Sequence, residues 1–322
     1  MTHILTPGRW RGLQNTSTAR HVFTILAFDQ RGSYTEMLPA GTDYATAAAI
    51  KGEVVGALSP LVSAALLDPD FGPAAAQRMS PGCGLLLSVE KSGYSGDSTY
   101  RKTEFDPAWN VAKIKRVGAQ AVKLMVYYHP HSGALAEELE QMTAGIIAEC
   151  RRHDLPIYLE PMSYSLDKAV KKESPEFAAT RQAVVVDTAR RLSALQPDVL
   201  KLEFPLEVKH DHDRDRWRAA CAAVSEASSV PWVLLSAGVD FDTFAEQTLI
   251  ACQQGASGYL AGRAIWKECV VMSPEERGRF LATTARERVE KLNAIAEQNA
   301  RPWTDFYQSM TLEKGWYAQY DA

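Results

Sequence analysis

Eight short apolar runs, each separated from the next by a longer polar or helix-patterned stretch, constrain the fold of this chain more than anything else in it. They occupy residues 22–28, 64–68, 84–89, 121–127, 157–160, 199–203, 232–236 and 258–262. Runs this short, rich in Val, Ile and Leu and bounded by turn residues, read as parallel strands buried on both faces. Helical signals fall between them. Leu135, Leu139, Met142, Ile146 and Cys150 recur in steps of four, three, four and four, which places them on one helix face. Asp242 stands ahead of Phe244 and Leu249, and Gly255 closes that segment, a start and a stop signal. Ser273-Pro274-Glu275-Glu276 reads as a capping box with proline at the first helical position. The helix it opens is expected to reach about Asn299, with Pro302 ending it.

Strand and helix alternating eight times predict an α/β chain, a (β/α)8 TIM barrel in preference to a doubly wound sheet. No Gly-x-Gly-x-x-Gly follows the first run, so the usual dinucleotide fingerprint is missing. No low-complexity linker divides the 322 residues, which predicts a single barrel domain over 1–322. Residues 1–20 form an N-terminal extension to it, and 301–322 a tail containing Trp303, Phe306, Tyr307, Trp316, Tyr317 and Tyr320. Insertions at 69–82 and 91–107 follow the second and third runs, on the face where barrels carry their chemistry.

A hydrophobic share of 46% supports a packed core, and 35 basic against 39 acidic side chains argue against a nucleic-acid partner. No apolar run approaches membrane-spanning length, and the N-terminus lacks a signal-like apolar segment. Cys83, Cys150, Cys221, Cys252 and Cys269 are odd in number, scattered and without a CxxC pair, the pattern of reduced thiols. A cytoplasmic protein with no membrane partner is the expectation.

Polar chemistry gathers at the C-terminal ends of the runs. The fourth carries Lys123, the fifth ends in Glu160, and the sixth carries Lys201 and Glu203. Asp29-Gln30-Arg31 follows the first, Ser236-Ala237-Gly238 ends the seventh, and Gly262-Arg263 ends the eighth. Alternation in the sixth would turn Leu200, Leu202 and Phe204 to the helices, with Lys201 and Glu203 facing the barrel axis. An ammonium group there is costly to desolvate, and a second cation such as Lys123 adds to the cost. Both effects favour the neutral amine. A free lysine, with a pKa near about 10.4, is uncharged in roughly one molecule in 2,500 at pH 7, so any such bias matters for nucleophilic attack on a carbonyl. The competing reading is a structural ion-pair layer of Lys201, Glu203, Lys123 and Glu160. Arg263 beside a glycine amide suits a phosphate. His129-x-His131 and His210-x-His212 would suit zinc, but both pairs read as exposed loops without a third ligand at diagnostic spacing. No metal or other cofactor is expected.

The chain resembles the tagatose 1,6-bisphosphate aldolases, class I enzymes that form a Schiff base on a (β/α)8 barrel. The resemblance is carried by Leu26-Ala27-Phe28-Asp29-Gln30-Arg31-Gly32, Leu66-Leu67-Asp68-Pro69, Cys83-Gly84-Leu85-Leu86-Leu87 and Glu90-Lys91-Ser92-Gly93-Tyr94. It continues through Ala121-Val122-Lys123-Leu124, Tyr127-Tyr128, Leu159-Glu160, Asp198-Val199-Leu200-Lys201-Leu202-Glu203, Leu235-Ser236-Ala237-Gly238-Val239 and Gly262-Arg263-Ala264-Ile265-Trp266. It implies that Lys201 is the Schiff-base lysine, Glu160 the acid/base carboxylate, and Lys123 and Asp29 polar groups lining the site. Ser236 and Arg263, with Gly238, Gly262 and Gln30 beside them, would hold a substrate phosphate, and Arg31 an anion at the other end. The implied reaction splits a ketohexose phosphate into dihydroxyacetone phosphate and a three-carbon aldehyde, in an enzyme that forms a homo-oligomer. The chain departs from the family pattern at His129-Pro130-His131, at Pro161-Met162-Ser163-Tyr164 and from Lys209 to Arg216. These loops would face the far end of a substrate, where a sulfonate could replace one phosphate, as in a related branch acting on sulfofructose 1-phosphate. Two other classes of function fit the barrel: a regulatory barrel that binds sugar phosphate without turnover, and a sugar-phosphate isomerase or epimerase.

Overall fold

The computed structural model describes residues 3–320. Its strands are β1 (His3–Leu5), β2 (Phe23–Phe28), β3 (Ala64–Leu67), β4 (Gly84–Ser88), β5 (Ala121–Tyr127), β6 (Ile157–Met162), β7 (Val199–Leu202), β8 (Trp232–Leu235), β9 (Gly258–Ala261) and β10 (Tyr307–Ser309). Strands β2 to β9 close a parallel barrel in chain order, with β9 returning to pair with β2. The eight expected strands are these eight, with ends shifted by a residue or two; β6 runs on to Met162, paired with β5 from Val122↔Ile157 to Tyr127↔Met162.

The two-residue period of the strands sorts their side chains into two layers. Leu26, Phe28, Val122, Leu124, Leu159, Leu200, Leu202, Trp232 and Leu234 pack outward under the helices. Phe23, Ile25, Leu66, Leu86, Ala121, Tyr158, Val199, Val233 and Leu260 fill the barrel interior. This lower layer is apolar. One step further along the same inward columns stand Lys123 above Ala121, Glu160 above Tyr158 and Lys201 above Val199.

The N-terminal mouth is sealed by the two segments whose role was illegible in the sequence. Strand β1 pairs in parallel with β10, and Leu5, Leu13, Trp303 and Tyr307 pack against the interior layer. Arg9 binds Asp198 at 2.7 Å, and the Tyr307 hydroxyl donates to the Asp198 carbonyl at 2.8 Å. Closure from below leaves the C-terminal mouth as the open end.

Among the helices, Ala134–Arg152 buries Leu135, Leu139, Thr143, Ile147 and Cys150. The buried stripe therefore runs through Thr143 and Ile147, with Met142 and Ile146 at its edge, because a straight helix drifts from a strict four-three spacing. Asp240, not Asp242, caps the helix Phe241–Gln253, accepting from the Thr243 amide. The capping box at Ser273 forms as expected, and its helix continues through a π-turn at Leu281–Ala285 to Asn299. All five cysteines are free and buried. No helix among the described residues is long and apolar enough to cross a membrane.

Candidate active site

Five inward columns deliver charge to one level of the barrel. Lys123 Nζ lies 2.8 Å from Asp29 Oδ2, 2.8 Å from Glu90 Oε1 and 2.8 Å from Glu160 Oε2. The other oxygen of Glu160 lies 2.9 Å from Lys201 Nζ. Glu160 thus bridges two lysines, and both ammonium positions are almost wholly buried, Lys123 at 2% and Lys201 at 4% exposure. Burial alone would push the Lys123 ammonium down, but Asp29, Glu160 and Glu90 together hold it well above the usual lysine range. Burial would likewise raise the Asp29 carboxyl, and Lys123 followed by Lys201 holds it well below the carboxylate range instead. Lys123 is therefore not the bare second cation expected beside Lys201: three carboxylates match its charge.

A cavity of about 380 Å³ opens on Lys201. Gln30, Glu160, Lys201, Ser236, Gly238, Gly262 and Arg263 all line it, so one cavity gathers most of the residues singled out in the sequence. Lys123 and Asp29 belong to the charged layer behind Glu160. Arg31 sits apart, its Nη2 donating to the Glu90 carbonyl at 2.6 Å.

The wall opposite Glu160 is shaped by backbone. Ala237 and Gly238 both adopt left-handed conformations, with φ of 46° and 82°, and an added Cβ on Gly238 would approach Arg263 Nη2 to 3.2 Å. Glycine there satisfies both the turn and the close guanidinium. Gly262 donates its amide to Ser236 Oγ at 3.3 Å, and a Cβ on it would strike the Ala27 carbonyl at 2.8 Å. Gln30 lines the same cavity, and its buried Oε1 accepts from no described residue.

Glu203 faces inward as its column requires, but it belongs to a separate network. Ser163 donates to it from its amide at 2.8 Å and its hydroxyl at 2.6 Å, and Lys172 and Arg181 lie 2.5 and 3.8 Å away. The single ion-pair layer considered from the sequence is thus two layers. Burial would raise the Glu203 carboxyl, yet Lys172 and Arg181 hold it at about 2. A carboxylate lower in the folded than in the unfolded chain adds stability that is complete above about 4.5 and lost as pH falls towards 2. Acid titration of thermal stability is expected to show a slope in that window, and Glu203→Gln to flatten it. An unchanged slope removes Glu203 as its source.

Two groups were given no role in the sequence. Glu90, quoted there only within the stretch Glu90-Lys91-Ser92-Gly93-Tyr94, is the third carboxylate on Lys123 and stands two residues beyond Ser88, with the inward parity of the β4 column. Lys51 lies in the apolar stripe of the helix Tyr44–Leu58. It is fully buried against Asp68 and donates to the carbonyls of Phe28 at 2.9 Å and Gln30 at 3.0 Å, pinning the end of β2 from which Asp29 projects.

Of the four histidines, His131, His210 and His212 are exposed as expected, and His129 is not. His129 is buried, its Nδ1 accepting from the His131 amide at 3.2 Å, because the loop after β5 folds over the barrel end. His210 is exposed, its Nε2 3.0 Å from the Glu173 carbonyl. No group of three or more His, Cys, Asp or Glu side chains among the described residues is arranged to hold a metal.

A DeoC/LacD family aldolase model matches residues 23–268. The chain is 31% identical over 327 residues to a tagatose 1,6-diphosphate aldolase 2 of Streptococcus agalactiae, covering 94% of this chain and 99% of that one. It is 32% identical to a tagatose 1,6-diphosphate aldolase of Lactococcus lactis, with 94% and 99% covered. Among solved structures, an archaeal fructose 1,6-bisphosphate aldolase superposes with a TM-score of 0.59 at 17% identity, over 88% of this chain and 98% of that one. A fructose-bisphosphate aldolase of Plasmodium falciparum does so with a TM-score of 0.64 at 15% identity, over 95% and 98%. At those identities the superpositions establish the barrel alone; the sequence matches establish more, and the chain belongs to the DeoC/LacD aldolase family of carbon–carbon lyases.

Proposed function

We propose that the protein cleaves a ketohexose 1,6-bisphosphate of the tagatose type to dihydroxyacetone phosphate and a three-carbon aldehyde phosphate, through an imine on Lys201. The observation that carries this reading is the 2.9 Å contact between the Lys201 amine and Glu160 at the wall of a cavity whose other side holds Ser236, Gly262 and Arg263.

The phosphate on C1 rests on Arg263 and the turn at Ser236 and Gly238, where a guanidinium and backbone amides meet a dianion. The C2 carbonyl then faces Lys201. Glu160 takes a proton from the Lys201 ammonium, and the freed amine adds to C2. Glu160 returns the proton to the departing oxygen, the nitrogen's second proton follows, water leaves, and a protonated imine remains. As carboxylate again, Glu160 removes the proton of the C4 hydroxyl while the C3–C4 bond breaks. The electron pair of that bond flows into the iminium and yields an enamine, and the aldehyde departs. Glu160 protonates the enamine at C3, and water releases the ketone phosphate. Lys123 balances the carboxylates through this proton traffic and keeps Glu160 oriented, while the Gln30 amide at the cavity wall serves a substrate hydroxyl.

Glu160→Gln is expected to lower kcat about 10²- to 10⁴-fold, the range for a general acid–base group. Near-normal cleavage by that variant would remove Glu160 from its role. Mass spectrometry of aldehyde products from a panel of ketose phosphates, tagatose, fructose and 6-sulfofructose among them, tests the substrate; conversion without aldehyde release would favour an isomerase. A cytoplasmic location, supported by five free buried thiols, and a homo-oligomeric state, supported by the family resemblance, complete the reading. Sedimentation of the purified protein tests the latter.

A further inference from the structure

The excursion from Lys91 to Pro107, between β4 and the next helix, returns on itself over the open end of the barrel. Ser95 and Lys102 exchange backbone hydrogen bonds of 3.0 and 2.9 Å, and the Lys91 amide donates to the Glu104 carbonyl at 2.8 Å. Lys102–Glu138 at 2.7 Å and Asp97–Lys168 at 2.9 Å moor the excursion to neighbouring loops. Its backbone thereby presents Arg101 to the barrel mouth. The guanidinium carbon lies 4.6 Å from the ring centre of Tyr94, 5.0 Å from Tyr127 and 5.2 Å from Tyr164.

Tyr127 fixes where this cation sits relative to the chemistry. It stands on the inward column of β5, four residues above Lys123, and pairs in register with Met162, which lines the Lys201 cavity. Tyr127 lies within electrostatic reach of Arg101, Glu160 and Lys123 alike. Arg101 forms no ion pair among the described residues; Nε donates to the Ser98 carbonyl at 2.9 Å, and its terminal nitrogens donate to no described acceptor. A guanidinium seated among three aromatic rings, with its outer donors unused, is prepared for an oxyanion.

The order of strands gives the anion's identity. Groups for the C1 phosphate lie at the ends of β8 and β9, the imine lysine on β7, and the carboxylate for the C4 hydroxyl on β6. A six-carbon chain laid along that arc brings its last carbon to β5 and the β4 excursion. We propose that Arg101, seated on Tyr94, Tyr127 and Tyr164, binds the tetrahedral oxyanion on C6 of the substrate and sets the preference for doubly anionic ketoses. This rests on the aldolase reading above and adds to it the residue that reads the far end. Arg31, the other arginine at this rim, is the rival for the same anion.

The test compares kcat/KM for a ketohexose 1,6-bisphosphate, its 6-sulfonated 1-phosphate counterpart and the plain 1-phosphate, in the native protein, R101Q, R101K and R31Q. In R101Q the ratio of bisphosphate to plain 1-phosphate is expected to fall about 10- to 150-fold, the worth of a hydrogen bond to a charged group. R101K, which keeps the charge and loses the planar fork, should fall between, and it carries the measurement if R101Q does not fold. The sulfonated arm shows which oxyanion the subsite prefers. An unchanged ratio in both Arg101 variants, or a fall in R31Q alone, overturns the assignment while leaving the aldolase reading intact. Absence of cleavage of all three compounds by the native protein rejects the aldolase reading, and the assignment with it.

Discussion

Lys201→Met is expected to abolish turnover, lowering kcat by at least about 10⁴-fold, because no other group can supply the covalent electron sink. Methionine matches lysine in length and carries no amine, so the cavity keeps its volume and the substrate its phosphate contacts. Binding should therefore survive while chemistry stops. Treating the native protein with borohydride and substrate should add the mass of the ketone phosphate fragment at Lys201, and the variant should gain nothing. Glu160 keeps its 2.8 Å contact with Lys123 when the Lys201 amine is removed, so its charge is not left unpaired and the variant is expected to remain folded. Turnover within tenfold of native, or an adduct on Lys123 in its place, would reassign the nucleophile.

The largest effect on stability is expected from Lys123→Met. Three carboxylates, Asp29, Glu90 and Glu160, converge on one ammonium at 2.8 Å each. Removing a buried partner and leaving its counter-charges uncompensated costs about 3–5 kcal/mol, and here three charges are orphaned. For a chain of this length that corresponds to a fall of about 5–8 °C in Tm or more. The pH dependence identifies the cause. In the native protein Asp29 is held low chiefly by Lys123, so its contribution is complete above about 3.8 and is lost as pH falls below that. In the variant burial dominates and raises the carboxyl, which reverses the sign: stability should increase as pH falls from 7 towards 4. Thermal unfolding of both proteins from pH 8 down to about pH 2 reads the two slopes. Parallel slopes would show that Lys123 does not neutralise this layer. Turnover should collapse with the variant as well, since Glu160 loses the partner that orients its second oxygen.

The eight apolar runs determined the barrel, because a short run buried on both faces and followed by an amphipathic helix has few stable arrangements beyond a closed parallel sheet. The same period of two placed Lys201, Glu160 and Lys123 on inward columns, where strand geometry alone dictates side-chain direction. What lay in loops or depended on long-range closure was not legible. Glu90 stands beyond the end of its strand, and only the closed barrel brings it to Lys123. Lys51 carried no signal in the sequence, and packing buries it against Asp68. Of two loop arginines, the family resemblance singled out Arg31 for the far anion and nothing in the sequence marked Arg101; the fold turned the first to a backbone carbonyl and seated the second among three tyrosines. Local periodicity suffices for the architecture and for the inward direction of the charges, so both are legible along the chain. Which charges meet is settled by folding, because the pairs from Lys51–Asp68 to Arg9–Asp198 stand 17 to 189 positions apart and no local pattern encodes their distances.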